Sequence, residues 1–156
     1  MTKKEIVELN NQLTSFKHLR GNVKFPYGVN RNLRLLKGEV EDLEGVTKEY
    51  NEGRDKIIKS FYKIDEKTKA PLVENNRYQF TDMDKLNEAL KQYEVEQKEF
   101  LDKYKEILKE EVKIDLYKID LSSLEGLYTV DGEGKDHPFS FSAFELEGLS
   151  AIIKEE

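Results

Sequence analysis

Cysteine and tryptophan are absent from this sequence, and histidine occurs only as His18 and His137. Without cysteine there is neither a disulfide nor a thiolate metal site. The two histidines lack the H-x-x-x-H or H-E-x-x-H spacing that puts two imidazoles on one metal. No nucleophile elbow accompanies either one, so both read as surface histidines. The sequence holds no G-x-x-x-x-G-K-[ST] phosphate loop and no G-x-G-x-x-G fingerprint. The stretch Asp131-Gly-Glu133-Gly-Lys135-Asp136-His137 has three carboxylates but misses the alternating ligand order of an EF-hand, and it reads as a solvated loop. No catalytic residue, metal or cofactor is therefore expected, and the chain reads as a non-enzyme. Apolar runs fall well short of the roughly 18 residues that would mark a membrane span, so no membrane contact is expected. Lys3, Lys4, Glu5 and Glu8 open the chain with no apolar stretch behind them, which does not read as a secretory leader.

Acidic residues are missing from one place in particular. Between Asn10 and Gly38 there is no Asp or Glu, while Lys17, Arg20, Lys24, Arg31, Arg34 and Lys37 give that stretch a charge of +6. The whole chain carries −6, so the remainder is strongly acidic. Hydrophobic and charged residues each make up 37%, a lean core under a charged surface. That balance suits long amphipathic helices, each of which buries one stripe. Disorder is the competing reading, and the periodic placement of eight Phe and eight Tyr argues against it.

Thr2 and Glu5 form a capping box that opens a first helix, with Ile6, Leu9, Leu13 and Phe16 on one stripe and Gly21 as its stop. Pro26 biases Phe25 away from helix, so Asn22 to Gly28 reads as a bend. A second helix runs from about Gly28 to Ile64, with Val29, Leu33, Leu36, Val40 and Leu43 and then Tyr50, Ile57 and Phe61 on its apolar face. Gly45 and Gly53 weaken its middle, where either a kink or a continuous helix is open. Gly38 and Gly45 share a face that either tolerates glycine at the surface or admits another chain closely. The third helix, capped by Thr81 or Asp82, carries Met83, Leu86, Leu90, Tyr93, Gln97, Phe100, Tyr104 and Ile107 in a heptad-like seam with one polar member.

Folding the second and third helices antiparallel about residue 73 pairs Phe61 with Leu86 and Ile57 with Leu90, and sets Tyr50 opposite Gln97. At the turn, Asn75-Asn76 tolerates positive φ between two short strands, Pro71–Glu74 and Arg77–Phe80. Beyond Glu111 the period changes to two, so Val112, Ile114 and Leu116 alternate with Lys113, Asp115 and Tyr117 in a strand or extended arm. Ser142 and Glu145 form a second capping box before a helix striped by Phe144, Leu149, Ile152 and Ile153. The expected fold is mainly α with a minor β component. It is a long antiparallel helical hairpin with a β-hairpin at its tip, plus an N-terminal helix and a C-terminal arm and short helix. One domain spans 1–156: an N-terminal helix at 1–21, the hairpin at 28–111 with its tip at 65–81, and the arm and helix at 112–156.

Lys24, Tyr27, Arg31 and Arg34 combine cations with aromatics, a mixture able to hold phosphate and stack on bases. Glu110, Glu111, Asp115 and Asp120 are placed to neutralise them from within. Tyr78, on the tip, joins these four as a candidate binding residue. The segments Val23–Asn32, Tyr62–Glu66, Pro71–Tyr78 and Leu146–Glu155, in that order, make the chain resemble small uncharacterised helical proteins encoded by bacteriophages and prophages. The resemblance covers most of the chain and implies a phage origin, with residence in the host cytoplasm or the virion. It supplies no activity and no site residue. The expected role is that of a protein-binding protein, either a virion or assembly component or an inhibitor of a host or defence protein. The alternative is a nucleic-acid accessory protein that uses the basic segment 17–37.

Overall fold

A computed structural model describes residues 1–154 of the chain. It is mainly helical and carries two small antiparallel hairpins. The elements are α1 (Lys3–Ser15), α2 (Lys24–Ser60), β1 (Val73–Glu74), β2 (Arg77–Tyr78), α3 (Met83–Glu96), α4 (Lys98–Lys109), β3 (Tyr128–Val130), β4 (Asp136–Pro138) and α5 (Ala143–Leu149). Two 3-10 turns cover Leu121–Leu124 and Ser150–Ile152. The sequence shows no boundary within 1–156, but contacts gather into two compact units. One is Met1–Leu43 with the chain from Ile107 onward, and the other is Glu44–Glu106. Both crossings fall inside helices, so no linker composition marks them. Glu155, which ends the tail segment of the resemblance, and Glu156, which ends the expected C-terminal segment, lie outside the described residues.

In the first unit, α1 opens on the expected capping box. The Glu5 N–H donates to Thr2 Oγ1 at 3.2 Å, and the Thr2 N–H donates to a Glu5 carboxylate oxygen at 2.7 Å. Ile6, Leu9, Leu13 and Phe16 are buried. The helix ends at Ser15 rather than at Gly21, because Leu19 turns into the core and Arg20 pairs its backbone with Tyr128. Gly21 serves that pairing: at φ 137° its Cα lies so close to the Gly126 carbonyl that an added Cβ would sit 2.6 Å from the oxygen.

The segment around Pro26 is helix, not bend. α2 begins at Lys24, and the Asn22 side chain accepts the Phe25 N–H at 3.0 Å. A proline in the first turn lacks only an N–H that has no intrahelical acceptor, so its cost there is small. Starting the helix early brings Phe25 into the core, where Phe16, Phe25, Phe139 and Phe141 pack with ring centroids 5.0–6.3 Å apart.

The expected loop Asp131–His137 lies within an antiparallel hairpin, β3 against β4, with Thr129 opposite His137. Residues 112–118 belong to no helix or strand. Val112 is tied to Met1 by its N–H at 2.8 Å, and Val112, Ile114 and Leu116 pack against the core. Asn32 holds the far end of this arm. Wholly buried, it donates from Nδ2 to the Tyr117 carbonyl at 2.9 Å and accepts the Tyr117 N–H on Oδ1 at 2.8 Å. One turn earlier, Gly28 admits Ile119 so closely that any Cβ would collide with it. The second capping box, Ser142 with Glu145, is present, and Leu149 and Ile152 are buried. Phe144 departs from the expected stripe and is 81% exposed. Leu149 lies five positions further on, which turns it about 140° away on a helix of 100° per residue.

In the unit Glu44–Glu106, α2 runs without a break through Gly45 and Gly53. Open space surrounds Gly45, as it does Gly38, whereas a Cβ on Gly53 would strike the Tyr93 hydroxyl. That hydroxyl donates to the Tyr50 carbonyl at 3.1 Å. The Tyr50 ring stacks on Tyr93 at 5.3 Å and on Phe100 at 5.5 Å. Gln97, the polar member of the seam, interrupts the third helix at φ −93° and ψ 13°, dividing it into α3 and α4. Asn75 (φ 51°) and Asn76 (φ 59°) make the tight turn between β1 and β2. Three backbone bonds form a closed ring beneath it: the Lys63 N–H donates to Gln79 at 2.8 Å, Gln79 to Leu72 at 2.9 Å, and Leu72 to Lys63 at 2.7 Å. Tyr62, a residue not foreseen as the aromatic partner here, stacks on Tyr78 at 4.5 Å and tilts against Phe80 at 5.5 Å.

Replacing Asn32 by Leu keeps a similar volume but leaves the buried N–H and carbonyl of Tyr117 without partners. The expected loss is about 2–4 kcal/mol in a denaturant melt. An unchanged midpoint would mean that the arm is held elsewhere.

Candidate functional site

Lys24, Tyr27, Arg31 and Arg34 step by three, four and three along α2, which places them on one helical face. Tyr27 is 47% exposed and meets the Tyr117 ring edge to face at 5.5 Å. Arg31 Nη1 donates to the Tyr27 hydroxyl at 3.2 Å, while the guanidinium carbon lies 4.6 Å from the centre of the Tyr117 ring. The two contacts hold the guanidinium flat on an aromatic face, with no carboxylate paired to it among the described residues. Arg34 is exposed and likewise has no ion pair among them.

The expected internal neutralisation is partial. Asp120 reaches Lys24 at 3.6 Å but holds Lys154 more closely, at 2.7 Å. The Lys154 ammonium keeps the Asp120 carboxyl below the usual aspartate range, with Lys24 adding to it. Glu110 is bonded to Lys3 at 2.7 Å instead, and this raises the Lys3 ammonium. Tyr78 belongs to the unit Glu44–Glu106, half-exposed on β2 against Tyr62. The structure therefore joins Tyr27 to Arg31 and keeps Lys24 and Arg34 on their face, while Tyr78 is part of the other unit.

Two contributors were not legible as site residues: Tyr117, which enters from residues 112–118, and Tyr128, whose backbone pairs with Arg20 of the basic segment 17–37 at the position that Gly21 permits. Arg20, Asn22, Val23, Tyr27, Asn30 and Tyr128 line a groove of about 490 Å³, and none of its lining residues is acidic. One signal for Tyr117 was available: it is the aromatic member on the polar side of the alternating arm.

A second groove, about 830 Å³, lies between α1 and α5. Gln12, Phe16, Phe144 and Gly148 line it with Glu8 and Glu147. Elsewhere in this unit, Asp131 organises the β3–β4 loop. Its Oδ1 accepts the Glu133 and Lys135 N–H groups, both at 2.9 Å, and its Oδ2 lies 2.8 Å from His137 Nε2. Both carboxylate oxygens are thus engaged. Among the described residues, no group of three or more His, Asp or Glu is placed to hold a metal ion, and no helix is long and apolar enough to cross a membrane. The chain matches no protein-family model, no curated protein and no solved structure.

His137 and the loop amides hold the Asp131 carboxyl below its ordinary value. A carboxylate depressed on folding stabilises the loop above its unfolded value, about 3.9, and that contribution disappears as pH falls through the lower folded value. Protection of the Glu133 and Lys135 amides, taken relative to their intrinsic exchange at each pH, should therefore persist through pH 4 and be lost only below it. Asp131→Asn should remove this acid transition. Its persistence in the variant would assign the transition to another group.

Proposed function

We propose that this chain is a phage-encoded protein-binding protein, not an enzyme, whose unit Glu44–Glu106 receives an α-helix of a partner protein. One observation carries the reading: within Glu44–Glu106, Leu86 is the single buried residue among those described. The seam residues Tyr50, Ile57, Phe61, Tyr93, Phe100 and Tyr104 are only partly covered. Elsewhere in the chain, stripes of the same spacing are buried. Apolar surface left half in water favours association, because burial releases roughly 25 cal/mol per Å².

The contacts of the unit support a finer picture, an antiparallel helical hairpin with β1 and β2 at its tip. Tyr50 meets Phe100, Tyr50 and Gly53 meet Tyr93, and the Phe61 carbonyl accepts the Thr81 N–H at 2.9 Å. As one residue number rises, its partner's falls. Two such helices leave a groove along their seam that fits a third helix, read through residues at steps of three and four. A face of about 36 Å by 20 Å, or roughly 700 Å², approaches the roughly 800 Å² per partner of a stable interface. Acidic and basic residues are nearly balanced in 44–106, which favours an apolar partner over a strongly charged one. The resemblance supports a phage setting, in the virion or the host cytoplasm. A virion or assembly component and an inhibitor of a host or defence protein both fit that setting.

Val46 is 44% exposed, lines a groove with Tyr50, Tyr93, Gln97 and Phe100, and accepts a benzoylphenylalanine cross-linker. Irradiation in infected cells and in purified particles should join it to an amphipathic helix of another protein, and Tyr104→Glu should abolish the product. Recovery from particles would indicate an assembly role, and recovery from host protein an inhibitory one. Cross-links only between copies of this chain, or none in either setting, would contradict the proposal.

A further inference from the structure

We infer that the arginine-bearing face of the first unit, around the groove with no acidic lining residue, is a binding site for single-stranded nucleic acid, separate from the helix-binding role of Glu44–Glu106. Three features converge there. The first is charge: Arg20 and Arg34 have no ion pair among the described residues, and Arg31 is held by aromatic groups alone. Nearby Lys24 is half-neutralised, since it shares Asp120 with Lys154, so the arginines supply most of the positive field.

The second feature is aromatic surface. Tyr27 and Tyr128 line the 490 Å³ groove, and Tyr117 stands beside it under Arg31. Bases stack on such rings regardless of sequence, and a guanidinium fixed flat presents its N–H edge to a phosphate in a two-point bond. The Asn22 amide is taken up by Ser123, Glu125 and Phe25, whereas Asn30 bonds the Pro26 carbonyl through Nδ2 and offers its amide oxygen to the edge of an unpaired base. A duplex hides base faces inside its stack and would meet this surface through phosphates alone. The combination therefore favours a single strand.

The third feature is rigidity. Tyr117 is fixed by the two bonds from buried Asn32 and by the close approach of neighbouring Ile119 to Gly28. Arg20 and Tyr128 are fixed to each other by two backbone bonds of 2.9 Å across the position that Gly21 opens. The ligand would meet a face that is already ordered. The net charge of −6 opposes a polyanion overall, but charges more than about 10 Å away are largely screened at 0.1 M salt, and Asp120, beside Lys24, is paired with Lys154 at 2.7 Å. A local site of three arginines is thus compatible with an acidic chain.

The test is fluorescence anisotropy of the full chain with a labelled twelve-nucleotide oligo-dT. Micromolar binding at 50 mM salt is expected. With three phosphate contacts, affinity should fall about twentyfold on going to 200 mM. Tyr27→Ala should weaken binding about tenfold, as loss of one stacking surface does, and Arg31→Glu with Arg34→Glu should abolish it. Arg54→Glu, on the other unit, should leave it unchanged, and circular dichroism melts should show every variant folded. No binding at 100 μM protein would overturn the inference. Equal affinity for a duplex or for a twelve-residue polyglutamate would overturn it too, since either would reduce the site to unspecific charge. Equal damage from Arg54→Glu would do the same.

Discussion

Apolar side chains are scarce in this protein, and their unequal burial conditions the rest of the structure. Apart from Leu86, every buried apolar residue among those described lies in Met1–Leu43 or beyond Ile107. There, α1, the first half of α2, the β3–β4 hairpin and the C-terminal turns converge on four phenylalanines. In the other unit the seam is only partly covered, with Leu86 its single buried residue among those described. Helix formation in water depends mainly on burying the amphipathic face. Glu44–Glu106 therefore rests on ring stacking around Tyr50, on the bond from Tyr93 and on the three-way backbone ring at Lys63, Leu72 and Gln79.

A well-filled core gives the first unit fixed positions for polar and aromatic groups at its surface. Asn32 is affordable only because both halves of its amide are satisfied by Tyr117. That bond carries Tyr117 to the outer face of α2, where its ring receives Arg31. A buried hydrogen bond is in this way transmitted to the surface as a preset guanidinium. The chain thus presents two surfaces of opposite kind: a rigid, cationic, aromatic face on the first unit and an apolar, half-covered seam on the second.

Much of this was legible in the sequence wherever the signal was local. Both capping boxes, the Asn75-Asn76 turn and the stripe from Ile6 to Phe16 depend on residues a few positions apart, and spacing reports them directly. Two local rules misled. Proline at position 26 signals a bend unless it falls in a first turn, and Gly21 signals a helix stop unless it serves a close backbone approach. The β3–β4 hairpin was hidden because its strands are three residues each and its loop is rich in charge and glycine. Of the candidate site, the four residues of α2 could be read as a mixture of cations and aromatics, but not as one helical face, since Lys24 and Tyr27 fell in the expected bend. Their aromatic partner could not be read, since Asn32 and Tyr117 lie 85 residues apart and no periodicity links an amide to a distant backbone. The division into units was equally silent, because it cuts through continuous helices.

The central claim is that the half-covered seam of Glu44–Glu106 leaves that unit weakly held. Native-state hydrogen exchange of the purified protein reads this residue by residue, since local opening free energies follow buried apolar contact. Amides of α3 and of α2 beyond Glu44 should exchange at least a hundredfold faster than those of α2 between Val29 and Leu36. Comparable protection along the whole of α2 and through α3 would contradict the account, because the unit would then be stable without a partner.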